Sequence, residues 1–438
     1  MTANAVALNA QCLCKAQTFT TTIPRTSLPL KGSSCHCDSC RHVTGALRSA
    51  DAEWPGPAAD IAAAANSGDG TLKRYQFSPR SHVLFCGVCG SKMFWEDIDS
   101  PQAYQPQSAQ QQQREAGEAR YFVFAGVLSA AAAAADGDGD GEDVGVGRLV
   151  RYEDHIFAGD TLDGGAVCWL RRLNGEDDAA AHPVRVWLGG RGKSEQVPPG
   201  EQWPAIKDLA AHGKSLKAAG EKEGSVPIRC KCGGVDFVLR AGEAQRDFEA
   251  RQKNGEQLPF FVDPVTHKFL ASLDCCDSCR IWAGSEMMNW TFSLLKHISF
   301  AGGKPVDGDP GNITELRAAV DACDPRLGTL KYYASSPGVQ RYFCGRCSAS
   351  VFYACDGRPD IVDIALGLLA SPDGARAESV TSWSLGGQFS WEQDMVGTWR
   401  EGMLHAVKKD SEQWRIERGY PKSWLRVARE QKAQAGGN

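Results

Sequence analysis

Most cysteines in this 438-residue sequence stand in tight groups whose spacing suits metal binding. Of the seventeen cysteines, fourteen fall in groups spaced C-x-C, C-x-C-x-x-C, C-C-x-x-C or C-x-x-C; the exceptions are Cys168, Cys323 and Cys355. Two thiolates separated by one or two turn residues can both reach a zinc ion at about 2.3 Å, so each pair supplies half of a tetrahedral site. In a long chain, such close cysteines predict bound metal rather than a disulfide framework.

Two sets of four cysteines predict structural zinc sites. Each set combines a C-x-C pair with a distant C-x-x-C pair, and four thiolates close the coordination shell of zinc without leaving a position for a substrate. Buried free thiols or an iron–sulfur cluster are the alternatives. The sets are Cys12, Cys14, Cys86 and Cys89 in the first half and Cys230, Cys232, Cys344 and Cys347 in the second.

A third group has only three cysteines and predicts an open, catalytic zinc site. Cys35, Cys37 and Cys40 would leave the fourth position of the metal to water or to a substrate. His36 lies between two of these ligands and should point away from the metal, either supporting the site or lying on the surface. Arg41 follows the third ligand. There its charge either offsets the thiolates or holds a carboxylate, unless it is an ordinary surface arginine.

The corresponding group in the second half is altered. When the two CDSC tetrapeptides are aligned, Asp274 stands where the first half has Cys35, followed by Cys276 and Cys279. Neighbouring side chains in extended backbone point to opposite faces, so Cys275 should not share a metal with Cys276. Either Asp274 supplies an oxygen ligand beside two thiolates, or this second site is empty. The sequence slightly favours the empty site.

The cysteine groups occur in the same order in both halves, and their flanking residues agree. CDSCRHVTG at Cys37–Gly45 matches CDSCRIWAG at Cys276–Gly284. LKRYQFSPRSHVLFCGVC at Leu72–Cys89 matches LKYYASSPGVQRYFCGRC at Leu330–Cys347 without a gap. Matching blocks in one order predict two tandem copies of a single domain.

The surrounding sequence predicts a mainly β fold, because short runs of β-branched and aromatic residues are broken by Gly, Pro and Asn. We expect a first zinc domain at 8–190, a linker at 191–225, a second zinc domain at 226–396 and a short helical C-terminal extension at 397–438. The polar runs Pro101–Gly117 and Ala131–Asp143 predict loops. The extension should dock through four large side chains: Trp399, Met403, Trp414 and Trp424.

The three-block cysteine pattern resembles the glutathione-dependent formaldehyde-activating enzyme (GFA) family, which also includes centromere protein V. The first half carries it as Cys12 and Cys14, CHCDSCR at Cys35–Arg41 and FCGVCGS at Phe85–Ser91. The resemblance implies domains of small antiparallel sheets, each with a structural four-cysteine zinc and a reactive three-cysteine zinc. It makes Cys35, Cys37, Cys40 and Arg41 the candidate catalytic residues. Departures from the family pattern occur at three positions: Lys15, Asp274 and Ser348.

The resemblance implies carbon–sulfur lyase chemistry, in which a small thiol such as glutathione is joined to formaldehyde or another small carbonyl, or released from it. We expect two to four Zn²⁺ per chain. The main alternative is a non-catalytic zinc scaffold that binds other proteins. The net charge of −5 and the lack of a basic stripe near the cysteines argue against nucleic-acid binding. No apolar run approaches the ~18–20 residues of a membrane span. Because the N-terminus does not look like a signal peptide, a cytosolic or nuclear protein is expected.

Overall fold

The computed structural model describes residues 5–98, 119–132, 147–175, 184–205, 208, 224–300 and 308–435. This part of the chain is mainly β, with strands outnumbering its seven α-helices. The predicted loop at Pro101–Gly117 and nearly all of the one at Ala131–Asp143 lie outside the described residues, as does most of the predicted linker after residue 205.

The strands of the first half are β1 Ala5–Gln11, β2 Thr18–Pro24, β3 Leu30–Cys35, β4 Ser49–Glu53, β5 Leu72–Ser78, β6 Ser81–Cys86, β7 Lys92–Asp97, β8 Arg120–Phe124, β9 Leu128–Ala132, β10 Val150–Ile156, β11 Arg185–Trp187 and β12 Gln196–Val197. They form a three-stranded sheet, in the order β2-β1-β9, and a nine-stranded sheet, in the order β12-β11-β10-β3-β4-β8-β7-β6-β5. Helix α1 (Asp38–Thr44) connects β3 to β4, and α2 (Ala58–Asn66) precedes β5.

The strands of the second half are β13 Val226–Arg229, β14 Asp236–Leu239, β15 Phe269–Asp274, β16 Met288–Leu294, β17 Ile298–Ser299, β18 Leu330–Ser336, β19 Val339–Cys344, β20 Ser350–Cys355, β21 Ile361–Ala365 and β22 Thr381–Trp383. They form a three-stranded sheet, in the order β13-β14-β17, and a seven-stranded sheet, in the order β18-β19-β20-β21-β16-β15-β22. The helices of this half are α3 (Ala241–Lys253), α4 (Asp277–Ala283) and α5 (Ile313–Asp321).

The two large sheets are wider than the sequence led us to expect, and they are not purely antiparallel. In the first half, β10 pairs in parallel with both β3 and β11. In the second half, β15 pairs in parallel with β22. These parallel pairs join segments far apart in the chain, and local residue patterns carry little information about such pairings.

The halves share strand register over the matched blocks. Leu72 pairs with Cys86 in the β5–β6 hairpin, and Leu330 pairs with Cys344 in the β18–β19 hairpin. Each hairpin has a bulge at the same place, and each is followed by two further antiparallel strands. The unit β3-α1-β4 likewise has its counterpart in β15-α4-β16. That these halves are copies of one domain remains a prediction, now with matched register to support it.

The halves pack face to face through reciprocal contacts at the ends of α1 and α4. Gly367 N–H donates to the Gly45 carbonyl at 2.8 Å, and Gly126 N–H donates to the Gly284 carbonyl at 3.1 Å. A Cβ atom on Gly367 would lie 2.2 Å from the Ala46 carbonyl oxygen. Only glycine therefore permits the backbones to approach this closely.

Two helices follow residue 397: α6 (Glu401–Glu417) and α7 (Trp424–Ala435). Trp414 on α6 is 5.7 Å from Trp169 of the first half, and Trp169 is 5.2 Å from Trp383 of the second, measured between ring centroids. Trp399 and Met403 are buried and Trp424 is half-buried. The C-terminal helix α6 thus packs against both halves. None of the helices in the described part of the chain has the length and apolarity that a membrane crossing requires.

Candidate metal centres

Both four-cysteine sets come together in space. In the first half the thiols come from the turn after β1 and the turn between β6 and β7, and all four sulfurs lie within 4.8 Å of one another. The Sγ atoms of Cys12 and Cys14 are 3.5 Å apart, as are those of Cys14 and Cys86. Sulfurs at the corners of a zinc tetrahedron would be about 3.8 Å apart. The second-half set has the same arrangement and spacing, so both sets fit zinc.

The turns that carry these thiols also donate hydrogen bonds to them. Gln17 N–H donates to Cys12 Sγ at 3.2 Å, and Val235 N–H donates to Cys230 Sγ at the same distance. Such bonds offset the negative charge that accumulates when several thiolates share one ion. The backbone therefore supports these sulfurs as ligands independently of their spacing.

Two of the family departures fall on turn residues with left-handed backbone. Lys15 has φ of 63°, like Gly233 in the second half at 69°. Ser348 has φ of 64°, like Gly90 in the first half at 77°. Both turns keep their shape with a non-glycine residue at a cost of about 1–2 kcal/mol each. Neither departure removes a sulfur from the metal set.

The three-cysteine set also assembles, at the junction of β3 and α1. Cys35 ends the strand, Cys37 is the N-cap of the helix and Cys40 lies in its first turn, with the three sulfurs within 4.8 Å of one another. Cys37 Sγ accepts a hydrogen bond from Cys40 N–H at 3.3 Å. Hydrogen bonds from the Cys35 and Cys40 thiols lower the pKa of Cys37 to about 3. This group fits a metal with one position left over.

His36 points away from these sulfurs, as its position in extended backbone predicts. It is fully buried, so the surface alternative was wrong. Its Nε2 lies 3.0 Å from His155 Nδ1, and His155 Nε2 lies 3.0 Å from the Leu170 carbonyl oxygen. Burial lowers the pKa of His36 well below its usual range and that of His155 to about 4, so both rings are neutral. The pair joins the backbone between Cys35 and Cys37 to β10.

Arg41 is also buried, with 5% of its surface exposed, so it is not an ordinary surface arginine. Its guanidinium pairs with Asp38 on the same helix. Among the described residues, its Nε and Nη1 atoms have no hydrogen-bond partner. The buried guanidinium thus forms a charged pair within the helix that carries Cys40, and the role of offsetting the thiolate charge stays a prediction.

A cleft of about 490 Å³ lies beside the three-cysteine set, with Cys35 and Cys40 in its wall. Four aromatic side chains line it: Phe77, Trp95, Phe122 and Phe157. Phe157 has φ of 54°, a strained conformation for an aromatic residue, and 36% of its surface is exposed at this wall. Strain of this kind clusters at functional sites, where the surrounding structure maintains it. The cleft has the size of a small-molecule site.

Asp51 in the cleft wall is a functional candidate that sequence reasoning missed. Burial raises the pKa of its carboxyl to about 7, although Arg191 partly opposes the shift. A group that titrates near neutrality in a cleft is a candidate for proton transfer. Its sequence setting, the strand SADAE at Ser49–Glu53, carries no motif, so only its place in the folded sheet distinguishes it.

The altered group of the second half also comes together. Asp274, Cys276 and Cys279 each offer a ligand atom within 4.8 Å of the others, whereas the neighbouring Cys275 is not part of this group, as expected. Asp274 Oδ1 accepts a hydrogen bond from Cys276 N–H at 2.9 Å. Burial, followed by the Cys276 thiol, raises the pKa of Asp274 to about 7. Cys279 Sγ is contacted by Arg341 Nη1 at 3.4 Å.

The fold and these sites define a mainly β protein with cysteine clusters that could hold metal ions. A family model described as glutathione-dependent formaldehyde-activating enzyme matches residues 7–125, which supports a domain of this kind there. The matched segment contains both cysteine sets of the first half and ends before the second half begins. Comparison with curated proteins and with solved structures gave no match.

Proposed function

We propose that the first half is a zinc-dependent carbon–sulfur lyase-like enzyme that forms or cleaves the adduct of a small thiol, of the glutathione type, with formaldehyde or another small carbonyl. The observation that carries this proposal is the contact between the three-cysteine set and the cleft. A four-cysteine centre leaves no place for a substrate, whereas Cys35 and Cys40 stand in the wall of a cavity that can hold one.

The residues of the chain have separable roles in this reaction. Cys35, Cys37 and Cys40 would hold the zinc ion, which when bound would supply Lewis acidity and favour an ionised substrate thiol. The aromatic residues of the cleft would exclude water from the substrate, and Arg80 in the cleft wall would face its carboxylates. Arg41 would offset the charge of the three thiolates.

Asp51 would move the proton. In adduct formation, the substrate sulfur, ionised after its thiol proton has passed to solvent, forms a bond to the carbonyl carbon, the carbon–oxygen π bond breaks, and the oxygen takes a proton from the Asp51 carboxyl. In cleavage, the Asp51 carboxylate removes the hydroxyl proton, the carbonyl re-forms, and the carbon–sulfur bond breaks toward sulfur. A pKa near 7 permits both directions at neutral pH.

Replacing Cys37 with serine tests the proposal, because serine is itself a good N-cap and should preserve α1 while removing a metal ligand. We expect Cys37→Ser to lose one zinc ion and to lose all turnover of S-hydroxymethylglutathione above the uncatalysed rate. Exchange between free formaldehyde and its glutathione adduct, followed by NMR, measures that rate in both directions. Cys323→Ser, at an exposed isolated cysteine, is the matched control and should change neither quantity.

Turnover by Cys37→Ser equal to that of the wild type would refute the mechanism. A wild-type protein that carries its zinc and yet fails to accelerate exchange with any small thiol would instead favour the non-catalytic scaffold.

We further propose two tandem zinc domains, at 8–190 and 226–396, in a cytosolic or nuclear protein. The shared register of the two halves supports the tandem arrangement.

A further inference from the structure

Arg341 occupies the altered centre of the second half. Only 3% of its surface is exposed, and Nη1 donates to Cys279 Sγ at 3.4 Å. The guanidinium carbon also lies 5.6 Å from the ring centroid of Trp282 and 5.2 Å from that of Tyr353. A guanidinium remains charged at every pH at which a protein is folded. A fixed positive charge therefore already sits against one of the three supposed ligands.

The first half has no such charge at the equivalent place. Tyr75 pairs with Val83 in the β5–β6 hairpin, and Tyr333 pairs with Arg341 in the β18–β19 hairpin, so Val83 and Arg341 are structural counterparts. Val83 is fully buried and apolar. The intact three-cysteine centre thus has a neutral neighbour where the altered centre has a cation.

A metal at the altered centre would be repelled by this cation. An ion at about 2.3 Å from Cys279 Sγ would lie no further than about 6 Å from Arg341 Nη1. Like charges at that distance disfavour each other strongly in a buried site. The donor set is also weaker, because Asp274 replaces a thiolate and already accepts a hydrogen bond from Cys276 N–H.

The space for a substrate is filled as well. Ser49 and Asp51 line the cleft of the first half, and strand register places Met288 and Trp290 at their positions. Met288 is fully buried, and Trp290 is buried with 2% of its surface exposed. Trp290 stacks on Trp282 with ring centroids 6.3 Å apart, and Trp282 is the residue that Arg341 covers.

From these contacts we infer that the second three-donor group is a metal-free centre in which Arg341 supplies the positive charge that zinc supplies in the first half. The chain then holds three zinc ions, in the two four-cysteine sets and the single three-cysteine set. The second half serves as a structural partner without an open metal site. This inference concerns metal occupancy and stands whether or not the first half performs the proposed reaction.

Exchanging the two counterpart residues tests the inference. Metal analysis of the purified full-length protein, with native mass spectrometry to count ions per chain, should give three zinc ions for the wild type. Arg341→Val installs the residue of the first half and should raise the count to four when excess Zn²⁺ is supplied. Val83→Arg should lower it to two, with the ion lost from the Cys35, Cys37 and Cys40 set.

Arg346→Val is the matched control, because it makes the same chemical change at an exposed position where the first half also has valine, Val88. It should leave three ions. Where Arg341→Val does not fold, Arg341→Gln removes the charge and retains a hydrogen-bonding side chain, and it should also bind the fourth ion. Four ions in the wild type, with one lost on Cys276→Ser, would overturn the inference. So would folded Arg341→Val and Arg341→Gln proteins that both stay at three.

Discussion

At the scale of single residues, Asp51 shows how strongly its surroundings set the pKa of a carboxyl. The same carboxyl on an exposed loop would be ionised at neutral pH, but in the cleft wall its pKa is raised to about 7, chiefly by burial. Because the folded state holds this proton more tightly than the unfolded state, the folded protein loses stability as pH rises from about 4 through 7. The cleft therefore maintains a carboxyl that titrates near neutrality, at some expense of stability.

Asp51→Asn should remove both the titration near pH 7 and the loss of stability that accompanies it at higher pH. We expect the variant to be more stable than the wild type at pH 8 by up to a few kcal/mol, with the advantage shrinking at pH 6, because the wild-type carboxyl is then mostly protonated. Denaturant unfolding at the two pH values measures this difference. Turnover should fall, because asparagine cannot transfer the proton, and the remaining turnover should lack the inflection near pH 7. Asp60→Asn, at an exposed helical position, is the control; an equal pH response in both variants would contradict the role of Asp51.

Residue spacing was enough to predict the cysteine clusters, because each pair is local. The C-x-C and C-x-x-C pairs fold into single turns, and two distant pairs together supply the four thiolates of a closed site. His36 and Arg341 could not be placed in this way. The partner of His36 is His155, and the partner of Arg341 is Cys279, 62 residues away on another element. Contacts of that kind depend on the order of strands in the sheet, about which the local sequence carries almost no information.

At the scale of elements, the short helices α1 and α4 each contribute both to a three-donor group and to the contact between the halves. Each begins at a cysteine of a three-donor group and ends at a left-handed glycine that touches the other half. Gly45 has φ of 82°, and a Cβ atom there would lie 2.4 Å from the Ser350 carbonyl oxygen. The opposite half therefore fixes the C-terminal end of α1, the helix whose N-terminal end carries Cys37 and Cys40.

Gly45→Ala should destabilise the protein far more than backbone strain alone would. The left-handed conformation costs alanine about 1–2 kcal/mol. The clash with Ser350 should add to that cost, because backbone cannot move aside as a flexible side chain can. Gly68→Ala isolates the strain, since Gly68 has φ of 74° and a Cβ atom there would meet nothing within 4 Å. Denaturant midpoints that fall equally for the two variants would contradict the close packing of the halves.

At the scale of the whole molecule, a buried ion pair links the second half to the three-cysteine group of the first. Arg48 Nη2 donates to Glu286 Oε2 at 2.9 Å, and Arg48 Nη1 donates to Ser34 Oγ at 2.6 Å. Ser34 immediately precedes Cys35 of the three-cysteine group. Tyr152 donates to the same glutamate, which is fully buried. The second half thus helps to position a ligand of the first half even though its own three-donor group is altered.

Glu286→Gln should therefore affect both stability and the first-half centre. The substitution keeps the shape of the side chain but leaves the Arg48 cation buried without its counter-charge, a change that typically costs about 3–5 kcal/mol. We expect a loss of that order in unfolding free energy and weaker retention of the zinc held by the Cys35 set, measured by competition with a chelator. Glu249→Gln removes the same charge from an exposed pair with Lys253 and should leave the unfolding free energy almost unchanged.

The double variant Arg48→Met/Glu286→Leu should recover much of the lost stability, because apolar residues can replace a buried pair. It should not recover zinc retention, since Ser34 would still lack its donor. Recovery of both would show that the pair acts on stability alone.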